Sequence, residues 1–186
     1  MPSTKSPFRI GVIGSSGPVS PDTDAAAEAV GREIAKRGGI LFCGGRDGVM
    51  EAGCRGAFLE GGITVGILPF SSLAAANQYV TVPVTTGLSF EFRSVVLVHA
   101  CDAIIMVSGG AGTLMELCVA QRNGVPVVVL EASGGWAGRL RSVALEGMYM
   151  DERRTSPLAF AGSPQEAVEL AFQLATKFRE SKAMCH

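Results

Sequence analysis

A chain of 186 residues, 47% hydrophobic and 18% charged with a formal net charge of −1, is long enough to bury one sizeable core and describes a folded globular protein rather than a disordered one. The near-neutral balance offers no basic field for a polyanion, so nucleic acid is not an expected partner. No uncharged apolar run approaches the roughly 18 to 20 residues that span a bilayer, and Met1 to Pro7 lacks the apolar stretch of a secretory leader, so no membrane contact is expected and the protein is placed in the cytoplasm.

One domain is expected over residues 1–186, with residues 1–7 as a flexible tail. Residues 8–14 form a short apolar run ending in glycine, which predicts a buried first strand followed by a loop from Ser15 to Ser20. Ser20 as N-cap and Pro21 at the first helical position open a helix that ends near Gly38, with Ala25, Ala26, Ala29, Val30, Ile34 and Ala35 on one face. The unit repeats as a strand over 40–43, a glycine-rich loop over 44–48 and a helix over 49–60, followed by a third strand over 64–68. Pro83 marks residues 80–85 as an edge strand or a broken one. A helix is predicted over 87–100, a wholly apolar strand over 103–107, a helix over 114–122 and a strand over 125–130. The chain closes with a helix over about 136–148, a polar bridge over 151–155 and a last helix opened by the capping box Ser163-Pro-Gln-Glu166. Apolar strands alternating with helices predict an α/β, Rossmann-like, doubly wound and mainly parallel sheet covered by helices on both faces.

The five cysteines, Cys43, Cys54, Cys101, Cys118 and Cys185, lack paired spacing and read as reduced thiols. Cys43, Cys101 and Cys118 sit among apolar residues, where cysteine acts as a small buried hydrophobe. With only His99 and His186 available, neither a zinc site nor a histidine-dependent triad is expected, and no metal ligand is assigned.

Ligands of an open parallel sheet bind outside the carboxyl ends of its strands, where glycines let the backbone approach an anion. Three loops here fit that position: Gly14, Ser15 and Ser16 before Gly17; Gly44, Gly45 and Gly48; and Gly109, Gly110, Ala111, Gly112 and Thr113. Each joins a strand to a helix whose first amides and dipole favour a phosphate. One such loop is most simply a tight turn, but three converging on one edge predict a phosphate cradle for a nucleotide-like ligand. The third loop has neither the dinucleotide GxGxxG spacing nor a P-loop lysine. Glu116, expected on the first turn of its helix, either faces the crevice or complements the helix dipole. Arg93, beside the apolar run Val95 to Val98, either snorkels or is aimed at an anion.

Arg93, Asp102 and Gly109-Gly-Ala-Gly-Thr-Leu-Met-Glu116 together resemble the arginine and PGGxGTxxE signature of the Lonely Guy proteins, formerly described as lysine decarboxylases. Gly44-Gly-Arg-Asp-Gly-Val-Met50 and Gly62 to Pro69 are similar to that family's GGxxGxM and GxxxGIxP segments, so the resemblance covers about residues 8 to 130. Within the superfamily, Gly48 to Ala52, Cys54 to Ala57, Ala76-Asn77 and Thr86-Gly87 resemble the short branch that includes the molybdenum cofactor carrier proteins.

The enzyme branch implies a phosphoribohydrolase that splits a nucleoside 5′-monophosphate into base and ribose 5-phosphate, with no cofactor required. Glu116 would then stabilise charge at C1′ or orient water, and Arg93 would contact the ligand. The carrier branch implies a bound phosphorylated pterin, the molybdenum cofactor, or a nucleotide, without bond cleavage. Two departures from the enzyme pattern favour binding over hydrolysis: Ser108 stands where the motif opens with proline, and Leu97 where it has methionine. Decarboxylation through a Schiff base is rejected, because none of Lys5, Lys36, Lys177 and Lys182 falls near the predicted crevice. The apolar helix from Ser94 to Ala100 and the family's habit both imply a homodimer or homotetramer.

Overall fold

The computed structural model describes residues 6–184. Seven strands make one parallel sheet: β1 (Arg9–Gly14), β2 (Ile40–Cys43), β3 (Thr64–Leu68), β4 (Val82–Thr85), β5 (Ala103–Val107), β6 (Val127–Leu130) and β7 (Ala159–Ala161), in the spatial order β4-β3-β2-β1-β5-β6-β7. Six helices connect them: α1 (Pro21–Lys36), α2 (Val49–Leu59), α3 (Phe90–Ala100), α4 (Ala111–Arg122), α5 (Leu140–Val143) and α6 (Pro164–Ala183). The chain walks outward from β1 to β4, then returns through α3 to lay β5 against the other side of β1. The strand order therefore reverses between β1 and β5, and a doubly wound sheet opens its binding crevice at that reversal.

Period-two alternation divides the core into two layers. Val12, Ile105, Val107, Val128 and Leu130 pack against α1, α2 and α6, whereas Ile13, Ile104, Met106, Val127 and Val129 pack against α3, α4 and α5. Strands covered on both sides are apolar along their length, which is why β5 and β6 read as unbroken apolar runs. Pro83 is tolerated because β4 is an edge strand with all four residues exposed.

Helix entry follows the expected chemistry at two places. The Ser20 hydroxyl accepts from the amide of Thr23 with Pro21 opening α1, and the Ser163 hydroxyl accepts from the amide of Glu166 at the start of α6. The α1–α2 contact is closer than an amphipathic face alone would suggest. A Cβ on Gly31 would stand 1.9 Å from the carbonyl oxygen of Gly53, and one on Gly56 would stand 1.9 Å from that of Glu28. The two backbones touch, and Arg55 of α2 seals the pair through Glu28 and Asp24 of α1.

Several expectations are corrected. The helix expected over 136–148 is a single helical turn, α5, because Gly134, Gly135, Gly138 and Gly147 interrupt the segment with turns. The strand β7 lies where no element was expected; three residues are too few to show a period. The helix α3 starts at Phe90 rather than 87, since Gly87 adopts φ +70° in the turn before it. The strand β6 begins at Val127, two residues after the expected start. The helix α4 starts at Ala111 rather than Leu114, which moves Glu116 off the first turn. Cys118 is exposed, whereas Cys43, Cys54 and Cys101 are buried. Residues 1–5 of the expected tail, like Cys185 and His186, lie outside the described residues. The backbone oxygens of Ser6 and Pro7 accept from the Arg179 guanidinium at 2.6 and 2.7 Å, so that part of the segment is tethered.

Candidate functional site

The turn between β5 and α4 is held from two sides. Ser108 adopts φ +57° and Gly109 φ +116°, a left-handed path that swings the backbone out of the sheet and directs the amino end of α4 over β1. The Ser108 amide donates to the Ser133 hydroxyl at 2.7 Å, and the Gly109 amide donates to the Ser15 hydroxyl at 3.0 Å. From the far side, the amides of Trp136 and Ala137 donate to the carbonyls of Gly109 and Ser108. Gly135 presses so close that a Cβ there would meet the Ser108 hydroxyl at 2.6 Å. What remains free is the first turn of α4, where Ala111, Gly112 and Thr113 have no intrahelical acceptor for their amides. Those donors and the positive end of the helix dipole face the cleft.

Opposite that turn, α3 contributes Arg93. The residue is 6% exposed, and its Nε and Nη1 have no hydrogen-bond partner among the described residues. Gly44 makes room for it, since a Cβ on Gly44 would stand 2.1 Å from Nη1. Burial lowers the Arg93 pKa from its ordinary value and the nearby Glu116 partly restores it, yet a guanidinium stays charged throughout. Glu116, 8% exposed, accepts a hydrogen bond from the Ser94 hydroxyl at 2.9 Å. Burial pushes its carboxyl above the ordinary range, with the Ser94 hydroxyl and the Arg93 charge pulling the other way. The pair is thus a buried cation with spare donors beside a carboxyl that resists ionisation.

The cleft measures about 540 Å³, within the range of small-molecule sites. Its floor is the end of β1 and the turn after it, Val12 to Ser16, one wall is α3 and α4, and the other is the loop after β2 with Gly44 and Arg46 and, in α2, Met50. Asn77 fixes that loop from the β3–β4 connection: its side-chain amide donates to the carbonyls of Gly45 and Arg46 at 3.2 and 2.7 Å. At the rim the Arg46 guanidinium lies over the Phe90 ring at 5.0 Å, and Phe90 meets Phe70 edge to face.

Of the residues singled out in the sequence, Gly14, Ser15, Ser16, Gly44, Arg93, Gly110, Ala111, Gly112, Thr113 and Glu116 all line this one cleft. Gly45, Gly48 and Gly109 do not, and each serves the loops instead. Gly45 takes φ +73° against Gly66, Gly48 lets the β2 loop abut the carbonyls of Ser15 and Gly17, and the Gly109 amide is already occupied by Ser15. Asp102, the other member of the signature, lies at the amino end of β5, where it pairs with Arg9 and Arg179 away from the cleft. Sequence reasoning missed Ser94, Arg46 and Phe90. Arg46 sits inside a loop already singled out, and Phe90 precedes Arg93 by three residues, the spacing that places two side chains on one helix face.

Comparison with known proteins agrees with this architecture. A family model described as the SLOG cluster4 family matches residues 7–168. The solved structure of the structural genomics target TM1055 is 40% identical, with a TM-score of 0.84 over 89% of this chain and 99% of that one. The molybdenum cofactor binding protein of Rippkaea orientalis is 29% identical, with a TM-score of 0.78 over 92% and 99% of the two chains. The molybdenum cofactor carrier protein of Chlamydomonas reinhardtii is 27% identical, with a TM-score of 0.77 over the same shares. The short-branch resemblance read from the glycine motifs is consistent with all four matches.

Proposed function

Because the chain belongs to the SLOG cluster4 family, we propose that it is a cytoplasmic binding protein for a phosphorylated, pterin-type small molecule of the molybdenum cofactor class. The observation that carries the reading is the buried Arg93 guanidinium, whose two unpartnered nitrogens need an anion. A phosphate between Arg93 and the first amides of α4 supplies one. Gly110, Ala111, Gly112 and Thr113 would donate to its oxygens, and Arg93 would neutralise its charge at short range. The cleft volume suits a bicyclic ring with its phosphate arm. The names borne by the Rippkaea and Chlamydomonas relatives support the pterin over other phosphorylated compounds.

Calorimetry with the molybdenum cofactor and with AMP tests the reading. Tighter binding of the cofactor is expected, and failure to bind any phosphorylated pterin or nucleotide would sink it. The left-handed Ser108 supports binding without cleavage, since a proline, locked near φ −65°, cannot follow this path. Release of free base from a panel of nucleoside monophosphates, abolished in Glu116→Ala, would instead establish hydrolysis.

The same chain is proposed to self-associate through α3 and the edge strand β4. Phe92 and Val96 are exposed on α3, the former by 66%, and Val82 and Val84 are exposed on β4. A homodimer would cover that face. Light scattering should give a multiple of the chain mass that collapses to the monomer in Phe92→Asp; a monomeric wild type would refute the association.

A further inference from the structure

Arg46 and Phe90 stand at the mouth of the cleft and have no part in holding a phosphate as described above. Phe90, at the first position of α3, is 40% exposed, a large aromatic surface open to solvent at the entrance of a polar site. Its ring is oriented by Phe70, packed edge to face at a centroid separation of 5.4 Å. The guanidinium carbon of Arg46 lies over that ring, 5.0 Å from its centroid, and Asn77 pins the backbone from which it extends. A guanidinium held beside an aromatic face offers a second flat group a surface on which to stack.

Its position relative to the phosphate end is set by the sheet. Arg46 follows β2, whereas the α4 amides follow β5, and β1 alone separates those strands. Two strand spacings amount to about 10 Å, enough for a sugar or a fused ring's side arm between a phosphate and a flat ring. Charge sets the direction. Glu91, exposed at the same rim, accepts from the Ser89 hydroxyl at 2.6 Å, and its carboxyl is held below the ordinary range by that bond and by its own backbone amide. Arg46 and Glu91 together leave the mouth near neutral, whereas Arg93 and the α4 amides concentrate positive potential at the other end, where a phosphate is better held.

We infer that the Arg46–Phe90 stack is the seat of the ligand's planar heterocycle, and that it makes this chain selective for phosphorylated heteroaromatic compounds over phosphorylated sugars. The inference rests on the phosphate-anchoring reading above and names the subsite at the other end of the same cleft. Stacking on such a surface depends on flatness and not on charge. Arg46→Lys keeps the cation and loses the plane, and Phe90→Leu keeps an apolar side chain and loses the ring face.

Calorimetry on the full chain distinguishes the two ideas. The ring-bearing probe is AMP or neopterin monophosphate, whichever binds the wild type more tightly, and the ringless probe is ribose 5-phosphate. Both variants should weaken the ring-bearing probe by at least about fivefold, the lower end of what one stacked base contributes. Their affinity for ribose 5-phosphate should stay within about twofold of wild type, as for a site not in contact. Parallel loss of both probes, or unchanged affinity for the ring-bearing one, overturns the inference. Wild-type protein that binds ribose 5-phosphate as tightly as the ring-bearing probe leaves the phosphate anchor standing and overturns the stack. Wild type that binds neither probe overturns both.

Discussion

Arg93 is a cation kept in a poorly solvated place with few partners among the described residues, an arrangement that costs folding free energy. Replacing it with methionine keeps the length and removes the charge, and Glu116, already pushed toward its neutral form by burial, can take up a proton in response. The Arg93→Met protein should therefore unfold at higher denaturant, by about 1 kcal/mol, while its affinity for phosphorylated ligands drops about tenfold or more. A less stable variant would show that Arg93 is a structural cation. Ser108 makes the opposite kind of demand, on backbone geometry. Ser108→Gly should be tolerated, because glycine adopts a positive φ without cost. Ser108→Pro should lose about 3 kcal/mol or remodel the loop, since it forbids that φ and deletes the amide that donates to Ser133. Equal melting temperatures for the two variants would contradict the left-handed turn.

The pair α1 and α2 shows how small residues position the site at the scale of elements. The glycines at 31 and 56 let the two helices touch through their backbones, and α2 in turn supports the β2 loop that carries Gly44 and Arg46. Gly56→Val should destabilise the protein by about 3 kcal/mol or more, because its side chain meets a carbonyl oxygen of Glu28 that cannot retreat without parting the helices. Denaturant midpoints measure this, and a loss below about 1 kcal/mol would show that the contact yields easily. That packing was not legible in the sequence. Glycine inside a helix reads as a weakness in the periodic pattern, and only the facing helix reveals why it is there. The capped starts of α1 and α6 were legible, because Ser20-Pro21 and Ser163-Pro-Gln-Glu166 satisfy local donors with local acceptors. The helix expected over 136–148 was not, since tertiary clamping of the β5 turn by Gly135, Trp136 and Ala137 takes those residues out of helical geometry.

Across the whole molecule, Asp102 ties the amino ends of β1 and β5 to α6. Its carboxylate accepts from the Arg9 amide at 2.8 Å, from Arg9 Nη2 at 2.9 Å and from Arg179 Nη2 at 2.6 Å. Burial pushes this carboxyl up, but the hydrogen bonds from Arg179 and Arg9 prevail and hold it at about 2. A depressed native pKa means the stabilisation is complete above the ordinary aspartate value, about 4, and is lost as pH falls toward about 2. Stability should thus decline by about 2 kcal/mol across that window, and Asp102→Asn should flatten the decline while lowering stability at neutral pH. Urea unfolding at a series of pH values checks both. An unchanged acid slope in the variant would place the titration elsewhere.

What the sequence determined alone is the set of properties that local chemistry imposes: parallel strands from unbroken apolar runs, helix starts from capping residues, and glycine-rich turns at strand ends. Those turns were expected to form a phosphate cradle; the opening turn of α4 borders a cleft together with Arg93 and Glu116. Only the tertiary structure decided which glycines line the cleft and which make room for other atoms. Gly44 lines the cleft and clears space for Arg93, while Gly45, Gly48 and Gly109 lie outside its lining and shape the loops. Likewise, only the strand order brought the loop after β2 and the start of α3 to the far rim of that cleft, joining Arg46 to Phe90. The reason is physical: a turn's conformation is written in its own residues, but what stands opposite it depends on segments dozens of residues away, and one sequence does not say which of them the sheet will place there.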